Sequence, residues 1–113
     1  MPQNDYTIKY RQGKQCILGH EEKNQLNKKK HGLYLSEVVD VFDDAHLIEW
    51  YDKKHSSLDE DRYICLGKLH DTVMLFVVFI EQGDDIHLIT ARKAEPIEER
   101  LYYAHYEKEI RGN

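Results

Sequence analysis

The spacing of apolar residues changes several times along the chain, and each change predicts an element. Residues 6–18 place Tyr6, Ile8 and Tyr10, then Cys16 to Leu18, on either side of Gly13, which predicts two short strands around a turn. Glu21 to His31 is polar apart from Leu26. Its acidic first turn (Glu21, Glu22) and basic last turn (Lys28, Lys29, Lys30) complement a helix dipole, and Gly32 supplies the stop, so a helix facing mostly solvent is expected. Next, Leu35, Val38, Val39 and Phe42 fall at the spacing of one buried face. Ser36 is placed to cap this second helix, and Asp43-Asp44 to end it.

The period then shortens. Residues 46–51 and 62–69 read as strands, separated by a charged loop and followed by a tight turn at His70-Asp71. Residues 73–80 form a continuous apolar run, as expected of a central strand covered on both faces. Gln82-Gly83-Asp84 closes a hairpin onto residues 86–91. Pro96 suits the first position of a last helix, with Ile97, Leu101 and Ala104 on its inner face. Strands joined by short turns pair antiparallel. The expected fold is therefore α+β: two N-terminal helices, a four-stranded antiparallel meander and a C-terminal helix. Residues 1–20 form an extension, either a short hairpin or partly disordered, and residues 21–110 a single domain.

Composition narrows this little. The 113 residues, 41% apolar and 33% charged, suit one globular domain. No apolar stretch is long enough to span a membrane, and the N-terminus lacks one of signal-peptide length, so a cytoplasmic protein is expected. Cys16 and Cys65 are far apart and read as reduced core residues. The seven histidines show no close metal-ligand spacing, and neither cysteine forms a CxxC, so no metal or other cofactor is expected.

Charge changes the picture more. The net charge of −5 argues against a simple nucleic-acid binder, but it is unevenly spread. Residues 1–33 carry seven Lys/Arg against three Asp/Glu, and residues 34–85 carry four against thirteen. A basic start leaves room for local phosphate binding, and the acidic middle for a basic partner segment.

Several ordered pieces resemble the BrnT family of ribonuclease toxins from type II toxin–antitoxin systems. They are Lys23-Asn24-Gln25-Leu26-Asn27 leading to Lys30-His31-Gly32, then Glu37-Val38-Val39-Asp40-Val41-Phe42-Asp43-Asp44. Glu60-Asp61-Arg62-Tyr63-Ile64-Cys65-Leu66-Gly67 follows, then Phe79-Ile80-Glu81, and Ile89-Thr90-Ala91-Arg92-Lys93-Ala94 with Glu98 and Tyr102 beyond. Where the family has an aromatic–acidic pair before the first helix, this chain has Gly19-His20, and Glu95 stands in place of a threonine. The resemblance implies a RelE-like fold and an endoribonuclease, a hydrolase that arrests growth by cleaving RNA. It also implies restraint by a BrnA-like DNA-binding antitoxin, with a toxin–antitoxin heterotetramer as one assembly.

Metal-independent RNA cleavage uses the 2′-hydroxyl as nucleophile. The protein must hold the phosphate, stabilise its charge, and move two protons. Arg62 and Arg92 suit the phosphate, and Lys93 its binding. His31 suits general acid or base work, assisted by Lys30, with Glu60 as another base. Tyr102 or Tyr106 suits stacking on a base. Each has a plainer reading. His31 also serves as a cation at a helix C-terminus, the arginines as ion-pair partners, Lys28 to Lys30 as a solvated helix end, and one of the tyrosines as core. The competing function is a non-catalytic folded module that binds an antitoxin and acts as a corepressor.

Overall fold

A computed structural model describes residues 5–10 and 16–112. In chain order it has β1 (Asp5–Tyr10), β2 (Cys16–His20), α1 (Glu21–His31), two short 3-10 helices (Leu35–Glu37 and Val39–Asp43), β3 (Ile48–Tyr51), β4 (Asp61–Leu69), β5 (Val73–Gln82), β6 (Asp85–Lys93) and α2 (Pro96–Ile110). The Gly13 turn and the first four residues lie outside the described residues.

The expected meander is present: β3, β4, β5 and β6 pair antiparallel in sequence order. It is part of a larger, mixed sheet of six strands in the order β1-β2-β6-β5-β4-β3. β2 runs parallel to β6, with Leu18 opposite His87. The parallel pair arises because the chain leaves β2 through α1, enters the meander at the far edge, and returns strand by strand until β6 lands beside β2. The two tight turns of the meander, β4–β5 and β5–β6, use left-handed residues: His70 and Asp71 at φ 54° and 59°, and Gly83 at 59°. Such geometry matches the right-handed twist of the paired strands.

One face of the sheet carries Cys65, Leu75, Val77, Phe79, Ile86, Leu88 and Ala91, all buried beneath Leu35, Val38, Val39, Val41 and Phe42. Phe42 meets Phe79 edge-on at 5.5 Å, a favourable geometry for two rings. Burying side chains of this size contributes about 1.5–3 kcal/mol each. Gly67 lets the covering segment close down, since a Cβ there would stand 2.6 Å from Leu47 Cδ1 and 2.9 Å from Val41 Cγ2.

The second expected helix is thus two 3-10 helices. Val41 is buried along with the four predicted apolar residues, which is more than one α-helical stripe can serve. Ser36 does not cap it. Its N–H donates to Asn24 Oδ1 at 3.1 Å, and the Glu37 carboxylate takes the Tyr34 N–H at 2.9 Å.

The opposite face carries Leu66 and Met74, with Phe76, Ile48 and Trp50 beside them, under Tyr102 and Tyr106 of α2. The predicted inner face of α2 is corrected by this arrangement. Ile97 is 66% exposed and Leu101 42%, whereas Tyr102 is 1% exposed. Tyr102 wins because its hydroxyl finds a half-buried partner, donating to Asp44 Oδ2 at 2.7 Å. α1 also inverts its expected apolar pattern: Leu26 is half exposed, while Asn24 and Asn27 are buried.

Asn27 shows why. β2 pairs with β6 only through residue 87, where the chain turns into α1. Beyond that point the Asn27 amide takes the place of a neighbouring strand. Its Oδ1 accepts from Ala91 N at 3.0 Å and Thr90 Oγ1 at 2.8 Å; its Nδ2 donates to Ala91 O at 2.9 Å and Leu33 O at 2.8 Å. Buried strand-edge groups are thereby satisfied, and α1 is pinned beside β6.

Candidate active site

α2 covers only one end of its sheet face. The other end, where β4 and β6 begin and β5 finishes, is an open groove of about 400 Å³ lined by His20, Lys23, Glu60, Arg62, Ile80, Gln82, His87 and Ile89. Its floor follows from strand register. Arg62 of β4 lies opposite Ile80 of β5, Ile80 opposite His87 of β6, and His87 opposite Leu18 of β2. Arg62 and His87 therefore flank one isoleucine, two strand spacings or about 10 Å apart.

The rim comes from elements next to this row. His20 ends β2 and leans toward His87, with ring centroids 6.3 Å apart and planes at 24°. Lys23 projects from the first turn of α1. Glu60 is brought in by the loop before β4, which folds back on Arg62: Asp52 N donates to Arg62 O at 2.7 Å, and Arg62 N donates to Ser56 Oγ at 2.9 Å. Arg62 Nε then donates to Glu60 Oε2 at 2.9 Å. That bond uses one of the five guanidinium donors and fixes the orientation of the rest.

Other predicted site residues lie elsewhere. Lys30 lines a second hollow of about 230 Å³ with Lys23, Leu26, Asn27, Ile89 and Thr90. The two hollows share Lys23 and Ile89. His31 is exposed at the end of α1 and lines neither. Arg92 lies outside this groove, paired with a carboxylate of α2. Both of its terminal nitrogens donate to Glu98, at 2.9 and 2.8 Å, and the guanidinium lies 3.9 Å from the Phe76 ring centroid. The hydrogen bonds from Arg92 hold the Glu98 carboxyl below its ordinary range, and the same pairing raises Arg92 against the effect of burial. Lys93 is exposed and lies opposite Leu75, so it points to the sheet face away from Arg92. The adjacent cations read together in the sequence are thus split by strand alternation.

Tyr102 of α2 is buried and lines neither hollow. Burial pushes its phenol up, and the hydrogen bond to Asp44 pushes it the same way. Asp44 is raised by burial but lowered more by the Lys68 N–H, the Tyr102 hydroxyl and the His46 N–H, and ends below its ordinary value. Tyr106 packs against His46, centroid to centroid 4.5 Å.

Among the described residues no group of three or more His, Cys, Asp or Glu converges as a metal site, and no helix is long and apolar enough to cross a membrane. What the groove assembles is two cationic side chains, two imidazoles, a carboxylate and an amide over an apolar floor. This set suits a phosphodiester: cations can take up its charge, and imidazoles can move the protons of the attacking hydroxyl and the leaving oxygen. The sequence reading missed His20, Lys23 and His87. Lys23 stood within a matched motif, but the two histidines carried no spacing signal.

The family comparison gives this chemistry its class. Residues 20–98 match the model of the family described as ribonuclease toxin, BrnT, of type II toxin–antitoxin systems. The chain belongs to this family, and so is a toxin that acts as an endoribonuclease and has an antitoxin partner. It is similar in fold to the crystal structure of the Brucella abortus ribonuclease toxin BrnT, with a TM-score of 0.54 and 23% identity, over 68% of this chain and 92% of that one. No curated protein matches it.

Proposed function

We propose that the groove around Arg62 is where this toxin cleaves RNA, without a metal ion. The observation that carries the reading is the Arg62–Ile80–His87 row, closed by His20 and Lys23. An RNA strand laid across it would put one phosphate between Arg62 and Lys23, and could continue past Lys23 to Lys30. The nucleophile is the RNA's own 2′-hydroxyl, so the protein need only orient the phosphate, neutralise developing charge and transfer protons. Glu60 keeps Arg62 in place. Arg92 acts from outside the groove, by holding α2 to the sheet.

The partner in this reading is a BrnA-like DNA-binding antitoxin, joined to the toxin in a heterotetramer. The RelE-like fold implied by the sequence resemblance makes the ribosome a second setting for cleavage. The test is cleavage of a labelled RNA by purified protein in excess EDTA, free and on ribosomes, beside Arg62→Ala and Lys23→Ala of matched thermal stability. Wild-type cutting that falls at least about 100-fold in Arg62→Ala supports the site. Equal cutting by wild type and both variants would place the chemistry elsewhere. Cutting abolished by EDTA and restored by a divalent ion would end the metal-independent reading.

A further inference from the structure

We infer that His20 and His87 are the acid–base pair of the cleavage step. The inference rests on the reading that the scissile phosphate sits in the Arg62 groove, and it replaces His31, which lines no hollow described above. The two histidines come from distant parts of the sequence. The parallel β2–β6 ladder joins them: with Leu18 opposite His87, His20 falls on the same sheet face one diagonal step along. Their rings end up 6.3 Å apart, both lining the groove, close enough for one phosphodiester to touch both.

Three further histidines bond to carboxylates outside the groove. His46 bonds Glu109, His55 bonds Asp52 and His70 bonds Asp40, each at 2.8 or 2.9 Å. Those pairs lie outside the groove and read as surface ion pairs. Among the described residues, the charged groups that line the groove with His20 and His87 are Lys23 from α1 and Arg62 and Glu60 from the β4 side, while Asp85 stands two residues before His87 on β6. The two cations bind the non-bridging phosphate oxygens, which leaves proton transfer to the imidazoles.

The step balances without a co-reactant. The 2′-oxygen bonds to phosphorus while its proton passes to one imidazole. The bond from phosphorus to the 5′-oxygen breaks, and the other imidazole gives that oxygen a proton. The products are a 2′,3′-cyclic phosphate and a 5′-hydroxyl. Solvent then exchanges protons to reset the pair.

The test is single-turnover cleavage of a labelled oligoribonucleotide from about pH 5 to 9, by wild type, His20→Asn, His87→Asn and His31→Asn. A second substrate carries sulfur in place of the 5′-bridging oxygen, a leaving group that needs no proton. The wild type should give a bell-shaped profile. Each groove variant should lose about 100-fold or more and one limb of the bell, while His31→Asn keeps both. The sulfur substrate should rescue one groove variant and leave the other slow, which structural damage cannot mimic. Cleavage lost in Arg62→Ala but within about threefold of wild type in both groove variants would overturn the inference and leave the groove reading standing. Rescue of neither variant would likewise remove the acid–base assignment. No cleavage by wild type, with or without ribosomes, would fell the inference together with the site reading beneath it.

Discussion

The Tyr102 hydroxyl and the Asp44 carboxylate form a linked pair whose work is structural. Asp44 Oδ2 accepts from Tyr102 and from Lys68 N at 2.8 Å, and its Oδ1 accepts from His46 N at 2.9 Å. One side chain thereby ties the end of the 3-10 segment to β4 and to α2. Tyr102→Phe should cost about 1–2 kcal/mol in denaturant unfolding, because one partner of a half-buried carboxylate is lost while two remain. Cleavage per folded molecule should hold. A fall in cleavage with no fall in stability would return Tyr102 to the site. The sequence could not separate these outcomes, since a tyrosine in a helix after a basic motif suits stacking and core equally. The deciding group, Asp44, lies in a distant segment.

At the scale of elements, two polar clamps place the site. Asn27 replaces a strand edge and holds α1, which carries Lys23 into the groove. Asn27→Ala should destabilise by about 3 kcal/mol, since the buried Ala91 N–H and C=O lose their partner, and thermal unfolding measures it. Cleavage should fall as well, through displacement of α1. Arg92 and Glu98 hold α2 to β6. The Glu98 carboxyl titrates below its ordinary 4.5 in the folded state, so the folded state binds its proton more weakly than the unfolded one. Its stabilising contribution is therefore complete above pH 4.5 and is lost as pH falls through the lower folded value. Glu98→Gln should unfold more easily near neutral pH and show a shallower acid loss than wild type in a pH series of melting curves. Parallel curves would mean the pair contributes nothing measurable. Arg92 looked catalytic in the sequence because an arginine beside a lysine suits a phosphate. The pleat separates the two, and Glu98 at the start of α2 takes the arginine instead.

For the whole molecule, the question is how a chain of net charge −5 holds an anion. The groove answers it locally, with Arg62 on its β4 side, Lys23 on its α1 side, and the one carboxylate in its lining, Glu60, paired with Arg62. In the proposed groove only a few cations would meet the RNA, so binding should depend only modestly on salt. With about two or three phosphates neutralised, log affinity should fall against log salt with a slope of roughly −1.5 to −2, as for single-stranded contacts. Arg62→Ala should flatten it by about 0.7. Fluorescence anisotropy with a labelled oligonucleotide across a salt series measures both. A slope several times steeper would mean a wider basic surface than this groove.

The sequence by itself determined the local elements: α1 with its charge-matched ends, the turn-bounded strands of the meander, and Pro96 at the start of α2. Those signals are short-range, set by hydrophobic period, helix ends and turn residues, and they survive without knowledge of the rest of the chain. Its motifs also determined the family. Only the tertiary structure decided which polar residues share a place. The β2–β6 pairing is parallel and joins segments far apart in sequence, and nothing in either strand alone encodes that register. From it follow the neighbouring histidines, the opening over Ile80 and the use of Asn27 as a strand edge. Burial made the remaining choices, sending Tyr102 and Arg92 to partners inside the fold and leaving Arg62 and Lys23 to face the groove.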